Sequence, residues 1–590
     1  MLREAAPRTG AGGHLEGSSL PPLIQRILVA RGFNSTPEVE KFCDPSLADL
    51  LSPDQLPGIS AASERLLVAL RAGQSIVIYG DYDVDGITAT SILYHMLKAI
   101  NPDADIRTFV PHRIDDGYGL NASALEQMAR EGCDLVVSVD CGITACEPVA
   151  AARKAGLSVI ITDHHTLNSD GSLPTADVLV HPGLPGSGYQ FRDLSGAGVA
   201  YKLAWQLAVD WCGSQRVSEK LREVLLDLLP LVALGTIADV VPLLGENRIL
   251  ARWGLRRMLC TNLSGLQSLI EVSGVAKGSI DAETVGFRLA PRLNACGRMG
   301  HARQAIELLT TATRDEGHAI ATELTQLNTK RQALEAIILE QACELAESKG
   351  MTSPDCRVIV LAHEKWHPGV VGIVCSRLAE KYGRPAILLQ QEGGFCKGSA
   401  RSIPGYSIHA ALVSQEALLE SYGGHAAAAG LTVKTEQLDA LVSGLKKHAN
   451  QNISEATLMP ELNIDCEAEL HEFNDTSIKA LTRLAPFGQG NARPVVCVRD
   501  VILTRDPQSF GKEGNHLALF VKQESPRGPI QQRMVWWRSS QYAHQLTRGM
   551  QLDIAASPKK SSYTHKIESE IRDVKIKTAS PMNVTKGASC

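Results

Sequence analysis

Apolar positions in the first half of the chain fall into short unbroken runs separated by segments with helical spacing. Residues 75–80 (SIVIYG) form one run, and ITATSILYHMLKAI at 87–100 follows with helical period. IRTFV (106–110), DLVVSV (134–139) and LSVIIT (157–162) repeat the run, with helices expected from Asn121 to Glu131 and up to Lys154. Strands alternating with helices predict βαβ units and a mainly parallel sheet. Residues 198–235 read as mostly helical, apolar on one face. No Gly or Pro interrupts His318 to Lys349, a stretch about 48 Å long if fully helical, and a helix of that length between two α/β regions is expected to bridge them. RVIVLA (357–362) and PAILLQ (385–390) bracket a further helical pattern and open a second, smaller α/β domain near 355. From about 457 the texture changes to VVCVRDVILT, HLALFVK, RMVWW and LDIAAS, separated by Gly, Pro and Asn, which predicts a small barrel or sandwich.

The 590 residues leave room for about four domains at roughly 150 residues each. The expected segments are 1–60 (a loose leader, then Leu20 to Phe42 partly helical and packed on the first domain), 61–310, a connecting helix at 311–350, 351–455, 456–580 and a tail at 581–590. With 44% hydrophobic and 21% charged residues the chain has an ordinary globular composition. A formal charge of -5 excludes a uniformly basic binder but leaves room for a local basic groove. Residues 1–19 lack the apolar run of a signal peptide, and the longest candidate span, Leu228 to Leu244, contains Asp239. The 14 cysteines show no CxxC spacing, so free thiols in a reducing, cytoplasmic setting are expected.

Candidate chemistry stands at the ends of the apolar runs. SIVIYG leads into Asp81-Tyr82-Asp83-Val84-Asp85-Gly86, DLVVSV into Asp140, LSVIIT into Asp163-His164-His165, and LVALGTIA into Asp239. Ligands of open parallel sheets bind outside the carboxyl ends of the strands, so these residues are expected to converge on one edge. Alternation sends Asp81, Asp83 and Asp85 the same way on extended backbone. Carboxylates so placed repel unless a cation neutralises them, and imidazole suits ions such as manganese. Any one cluster alone reads as a turn or a helix cap; four together read as a two-metal site for phosphoester hydrolysis.

Substrate contacts are expected from Arg113, from Arg292, Asn294 and Arg298 beside Gly297, and from three segments of the smaller domain. His367 opens a helix whose amides favour an anion, Ser399 and Arg401 combine a hydroxyl with a guanidinium, and Gly424-His425 precedes the small residues AAAAG. Asn328 and Arg331 either face the same cleft or pin the long helix to one domain. Trp536-Trp537 stands ahead of residues 556–590, where seven Lys/Arg against three Asp/Glu leave a local balance of +4. Basic grooves with stacking aromatics bind single strands, although one Trp of an adjacent pair on a strand generally points inward.

DYDVDG (81–86), VDCG (139–142), TDHH (162–165) and GTIADVVPL (235–243) resemble the four motifs of the DHH phosphoesterase superfamily. DDGYGL (115–120), PRLNACGRM (291–299), LNTKRQALE (327–335), WHPGVVGI (366–373), KGSARS (397–402) and GGHAAAAG (423–430) resemble, within it, the RecJ family of bacterial single-strand-specific exonucleases. The resemblance implies a parallel-sheet DHH domain, a long helix, a smaller α/β DHH-associated domain and a C-terminal OB-type domain. It implies two divalent ions, Mn²⁺ or Mg²⁺: Asp83 on the first, with Asp81 in its region; Asp85, His164 and Asp239 on the second; Asp140 on both. His165 would contact phosphate and Asp163 would orient its neighbours. The implied activity is 5′→3′ degradation of single-stranded DNA to 5′-mononucleotides in recombination and repair, beside a single-strand-binding protein and a RecQ-type helicase, with no membrane partner. The alternatives are a phosphoesterase for short oligonucleotides or cyclic dinucleotides, whose members are shorter, and a scaffold that lost catalysis, against which the intact ligand positions speak.

Overall fold

The computed structural model describes residues 3–4, 15–113, 117, 119–168, 170–276, 280–459, 461–560 and 567–577. The chain divides into two compact units, one of residues 47–458 with 488–491, the other of 1–46, 459–487 and 492–590.

The larger unit begins with α1 (Ile59–Arg71) and a five-stranded sheet, β1 (Ile76–Gly80), β2 (Ile106–Phe109), β3 (Leu135–Val139), β4 (Ser158–Thr162) and β5 (Val178–Val180). Every pairing is parallel and the order is β2-β1-β3-β4-β5. Helices α2 (Val84–Ile100), α3 (Ala122–Arg130), α4 (Cys146–Lys154), α5 (Gly196–Cys212) and α6 (Glu219–Ala238) cover both faces. Ile76, Ile78 and Val137 pack toward α2, α5 and α6, while Val77, Tyr79 and Val136 pack toward α3 and α4. Strands buried on both faces read as continuous apolar runs, which is why these were visible in the sequence. The strand order reverses between β1 and β3, so a crevice opens at their carboxyl ends.

LVALGTIA belongs to the 20-residue helix α6, and Asp239 is that helix's C-cap. Asp239 therefore reaches the crevice from a helix end and not from a strand. A segment buried all round has no face to betray its period, so the run alone did not distinguish the two.

Helix α7 (Ala290–Met299) leads to α8 (Arg314–Ser348), 35 residues long. Helix α8 starts before the expected His318 because Thr313 and Glu316 form a capping box. It runs through Gly317, where a Cβ would come within 3.3 Å of Gly265 Cα. Ala321 and Leu324 belong to the core of the first sheet, and Ile338, Ala342 and Ala346 to a second core. That second core belongs to the sheet of β6 (Ile359–His363), β7 (Ala386–Glu392), β8 (Phe395–Arg401), β9 (Leu419–Gly424) and β10 (Ala428–Lys434), in the order β9-β10-β8-β7-β6. Only β6 and β7 are parallel, joined by α9 (Pro368–Tyr382). One helix is thus embedded in both α/β domains, as the bridging reading expected.

In the smaller unit, strands Val496–Leu503, His516–Gln523, Ile530–Trp536, Gln551–Lys560 and Ile567–Ile576 close a five-stranded barrel of the OB type. The helices Pro22–Ala30 and Thr36–Cys43 pack into this unit, not onto the first domain as expected. Leu23, Ile24, Ile27 and Leu28 share a core with Leu481, Leu484 and Val496, and Arg26–Glu472 (2.7 Å) and Arg31–Asp465 (2.8 Å) form ion pairs beside it. The basic surplus after residue 556 is largely internal to the barrel: Lys559 meets Glu570, Arg572 the same Glu570, and Lys577 Asp500 and Asp553. Lys566 and Lys586 lie outside the described residues. Trp536 packs against the barrel core, and Trp537 is 44% exposed, edge-on to His516 and Phe510. Among the described residues no helix is long and apolar enough to cross a membrane.

A buried ion pair anchors α5. Lys202 Nζ donates to Glu246 Oε1 (2.5 Å) and to Leu51 O, and Tyr189 Oη donates to Glu246 Oε2 (2.5 Å). Glu246→Leu is expected to cost about 3–5 kcal/mol by stranding the ammonium. Adding Lys202→Met should recover most of that loss, as read from urea midpoints of the larger unit.

Candidate metal centre and nucleic-acid cleft

The chain leaves β1 and turns into α2 within three residues. Asp83 is the N-cap of α2, its Oδ1 accepting from Asp85 N (2.9 Å) and Gly86 N (3.2 Å). Asp85 lies in the first turn. Its Oδ2 accepts from Gly196 N (2.6 Å) and its Oδ1 from Ala197 N (3.0 Å), amides at the start of α5. The tight entry into a helix, and not alternation along a strand, gathers Asp81, Asp83 and Asp85.

Glycines make room for the carboxylates. A Cβ on Gly196 would lie 2.3 Å from Asp140 Oδ1, and one on Gly235 would lie 2.5 Å from Asp85 Oδ1. Ser195 caps α5 and hydrogen-bonds Thr236 Oγ1 at 2.9 Å, tying the start of α5 to the end of α6 that supplies Asp239. Asp140 and Val240, the latter next to Asp239, both hold φ of 63°. Left-handed backbone is uncommon outside glycine and costs most for a β-branched residue, so packing holds both turns under strain.

His164 Nε2 lies 3.1 Å from Asp140 Oδ1, 3.6 Å from Asp239 Oδ2 and 3.8 Å from Asp85 Oδ2. One ligand atom each from Asp81, Asp83 and Asp140 lie within 4.8 Å of one another, and so do those of Asp85, His164 and Asp239, and of Asp140, His164 and His165. Burial, then the charge of Asp83, pushes Asp81 well up; burial, then Asp85, Asp83 and Asp239, does the same to Asp140. Burial followed by neighbouring carboxylates raises Asp85 to about 7 and Asp239 to about 9. Burial lowers His164 to about 3, and its ring also bonds the Leu194 backbone, so a neutral imidazole presents a lone pair to the carboxylates. Asp81 Oδ1, Asp140 Oδ1 and His164 Nε2 are buried without a hydrogen-bond partner among the described residues. Lone pairs facing lone pairs in a buried site fit divalent cations held by oxygen and imidazole nitrogen.

Asp163 orients the neighbouring histidines. Its Oδ1 accepts from His164 N (2.7 Å), His165 N (3.1 Å) and His165 Nδ1 (2.7 Å), and its Oδ2 from Ile143 N (2.9 Å). Burial opposes both charges, but the pair's hydrogen bond and mutual attraction win: Asp163 goes down to about 2 and His165 up to about 9.

On the substrate side, PRLNACGRM forms most of helix α7. Gly297 does not face a ligand; a Cβ there would lie 2.6 Å from Tyr82 O, so it seats α7 on the Asp81–Asp83 turn. Asn294 Oδ1 accepts from Val84 N (3.3 Å) and serves the same turn. Arg298 donates to Gly369 O at 3.2 Å, and burial, then Arg113 and Arg331, lowers it to about 10. Arg113 stacks over Tyr82 at 4.8 Å, and burial with Arg113 nearby also lowers Arg401. Four guanidinium groups, Arg113, Arg298, Arg331 and Arg401, thus come together. Ser399 and Arg401 lie on β8 beside Gly372 of α9. His367 caps α9, its Nδ1 accepting from Gly369 N (3.1 Å). Gly424 and His425 sit at the tip of the β9–β10 hairpin, whose Ala428 pairs with Arg401. Arg292 is held elsewhere, donating to Thr325 Oγ1 (3.1 Å) and Arg288 O. Arg331 binds Asn328 and Glu335, and Glu335 reaches Arg377 of α9, so this trio pins α8 to the second domain while its charge is felt by Arg298. Asp115, Asp116 and Tyr118 of DDGYGL lie outside the described residues.

The chain matches the DHH family, N-terminal domain, over residues 75–236, the DHHA1 domain over 355–451 and the RecJ OB domain over 464–573. The single-stranded-DNA-specific exonuclease RecJ of Salmonella typhimurium is 35% identical over 492 residues, covering 81% of this chain and 83% of that protein. The chain belongs to the RecJ family. RecJ of Bacillus subtilis is 38% identical over 508 residues, 86% of this chain, and the match spans 62% of that longer relative. Crystallised RecJ of Thermus thermophilus in complex with Mn²⁺ shares the fold at a TM-score of 0.79 and 31% identity, over 95% of this chain and 76% of that one. Its Mg²⁺ complex gives 0.73 and 30%, over 95% and 75%. Mn²⁺ and Mg²⁺ in RecJ structures agree with the oxygen- and nitrogen-rich donor set here.

The raised carboxyl groups give a sign for metal binding. Protons held near 7 and 9 on Asp85 and Asp239 must leave before a cation enters. Mn²⁺ binding is therefore expected to release protons and to tighten as pH rises toward 9, measured calorimetrically in buffers of different ionisation enthalpy. An affinity flat over that range would contradict the protonated cluster. In the metal-free protein, Asp163→Asn should drop His165 from about 9 toward the ordinary imidazole range, seen by NMR titration of its ring protons.

Proposed function

We propose that this chain is a metal-dependent exonuclease that degrades single-stranded DNA from its 5′ end to 5′-mononucleotides. The observation that carries the reading is the set of buried donors Asp81, Asp140 and His164, unpartnered among the described residues, at the carboxyl ends of β1, β3 and β4, with four arginines gathered nearby. Asp81, Asp83 and Asp140 would hold one ion, and Asp85, His164, Asp239 and the shared Asp140 the other. Two such ions, when bound, supply an activated water and neutralise charge built up in phosphoryl displacement.

The remaining work falls to the chain's own groups. His165, kept charged by Asp163, offers a cation to a phosphate. Arg113, Arg298 and Arg401, with the Ser399 hydroxyl, grip phosphate oxygens; guanidinium groups partly withdrawn from water bind such oxygens more strongly than exposed ones. His367, Gly424 and His425 border the same surface. Asn294 acts as a positioning residue through the Val84 amide, and Arg292 stands outside the group. Exposed Trp537 beside Phe510 suits stacking of unpaired bases, which favours single strands over duplex. A role in recombination and repair, in the cytoplasm and alongside a single-strand-binding protein and a RecQ-type helicase, fits a DNA-trimming activity of this kind.

The test is a long single-stranded DNA labelled at either end, incubated with Mn²⁺ or EDTA, with an Asp140→Ala preparation in parallel. Metal-dependent loss beginning at the 5′ label, absent from the variant, is expected. Intact DNA with cleaved dinucleotides would make the chain a small-substrate phosphoesterase instead.

A further inference from the structure

Phe287 is the most exposed large hydrophobic residue among those described, at 77%. It sits in a single π turn, Val285–Leu289, that runs straight into α7. Such turns are rare and frequently mark functional sites. Val285 and Leu289 on the same turn are buried, so the turn presents Phe287 outward while its neighbours anchor it. Scattered exposed apolar residues are ordinary on protein surfaces; the surroundings of this one are not.

Arg288 donates to Ser273 O (2.6 Å) and Gly274 O (3.0 Å), and Arg292, one turn on, donates to Thr325 and to the Arg288 carbonyl. Among the described residues neither guanidinium pairs with a carboxylate, and burial together with the charge of Arg288 lowers Arg292. The element continues to Arg298, roughly 15 Å along the helix axis. Ala282, just ahead of the turn, shares an apolar cluster with Ile237, Leu243 and Ala251. Ile237 and Leu243 flank Asp239 and the 64% exposed, left-handed Val240. An outward aromatic, two guanidinium groups without acidic partners and a bare valine therefore lie on elements that lead into the metal centre.

We propose that Phe287 is a stacking platform for a base of the single-stranded substrate a few nucleotides from the cleaved phosphate, with Arg288 and Arg292 gripping the adjoining phosphates. The proposal rests on the exonuclease reading. Every base has a π face, so one aromatic ring serves any sequence, and arginines alongside give phosphate contacts without base preference.

Phe287→Trp in the full-length chain, titrated with oligo(dT) of increasing length in Ca²⁺, is expected to lose more indole fluorescence with long oligomers than the unaltered chain, whose own tryptophans include the exposed Trp537, and no more than it with dinucleotides. Phe287→Ala should raise KM for long single strands about tenfold, the usual size of a lost stacking contact, with kcat within about twofold, and Phe287→Tyr should restore it. The side chain is exposed, so none of these changes threatens folding. Quenching of the Phe287→Trp variant no greater than that of the unaltered chain, together with an unchanged KM for Phe287→Ala, in enzyme that still digests DNA, would overturn the stacking role and leave the nuclease standing. Failure of the unaltered chain to digest DNA would remove the premise of both.

Discussion

Packing five carboxylates and a neutral imidazole into one crevice is the constraint around which the larger unit is organised. Without a cation these groups repel, and burial raises the cost because little water reaches them to screen it. The backbone answers with geometry: the start of α2 turns Asp83 and Asp85 inward, α5 lends two amides to Asp85, and Gly196 and Gly235 leave space for oxygens where any side chain would collide. Two left-handed turns, at Asp140 and Val240, are held against their own preference by the packing around them. An arrangement this unfavourable to the metal-free protein makes sense only if ion binding offsets it.

The opposite charge comes from both domains and from the helix between them. Beyond burial, Arg113, Arg331 and Arg401 all bear on Arg298 and lower it, with Asp83 opposing them and Glu335 paired to Arg331. Anionic crevice and cationic wall thus leave complementary deficits, which a chain of phosphates with its divalent counter-ions would satisfy together. The link between them is α7: its Asn294 and Gly297 seat the metal-side turn, and its Arg298 reaches Gly369 of the smaller domain.

Much of this was legible in the sequence because strands buried on both faces leave unbroken apolar runs, and acidic residues stand where those runs stop. The long helix was visible from the lack of Gly and Pro, and the barrel from its short β-rich runs. LVALGTIA falls partly within the stretch that reads as helical and also resembles the strand runs that end in acidic residues; it is the end of a helix that brings Asp239 to the crevice. The barrel's closing strand, IESEIRDVKI, reads as part of a basic tail because charges interrupt its apolar positions. Leu20 to Phe42 is expected on the first domain and packs into the barrel unit instead, because an amphipathic helix declares that it needs a core and not which one. Gly196 and Gly235 carry a further signal: a glycine opening one apolar helix, and one inside another, both mark close approach.

The double anchorage of α8 has a consequence for how such an enzyme can vary. Because Leu324 is locked into one core and Ile338 into another, the helix between them acts as a screw thread and not as a spacer. Each inserted residue would advance the second domain by about 1.5 Å and also turn it by about 100°, carrying β8 and its arginine away from the metal crevice. Cleft width and cleft alignment are therefore a single variable, and only insertions that complete whole turns of the thread would preserve the alignment.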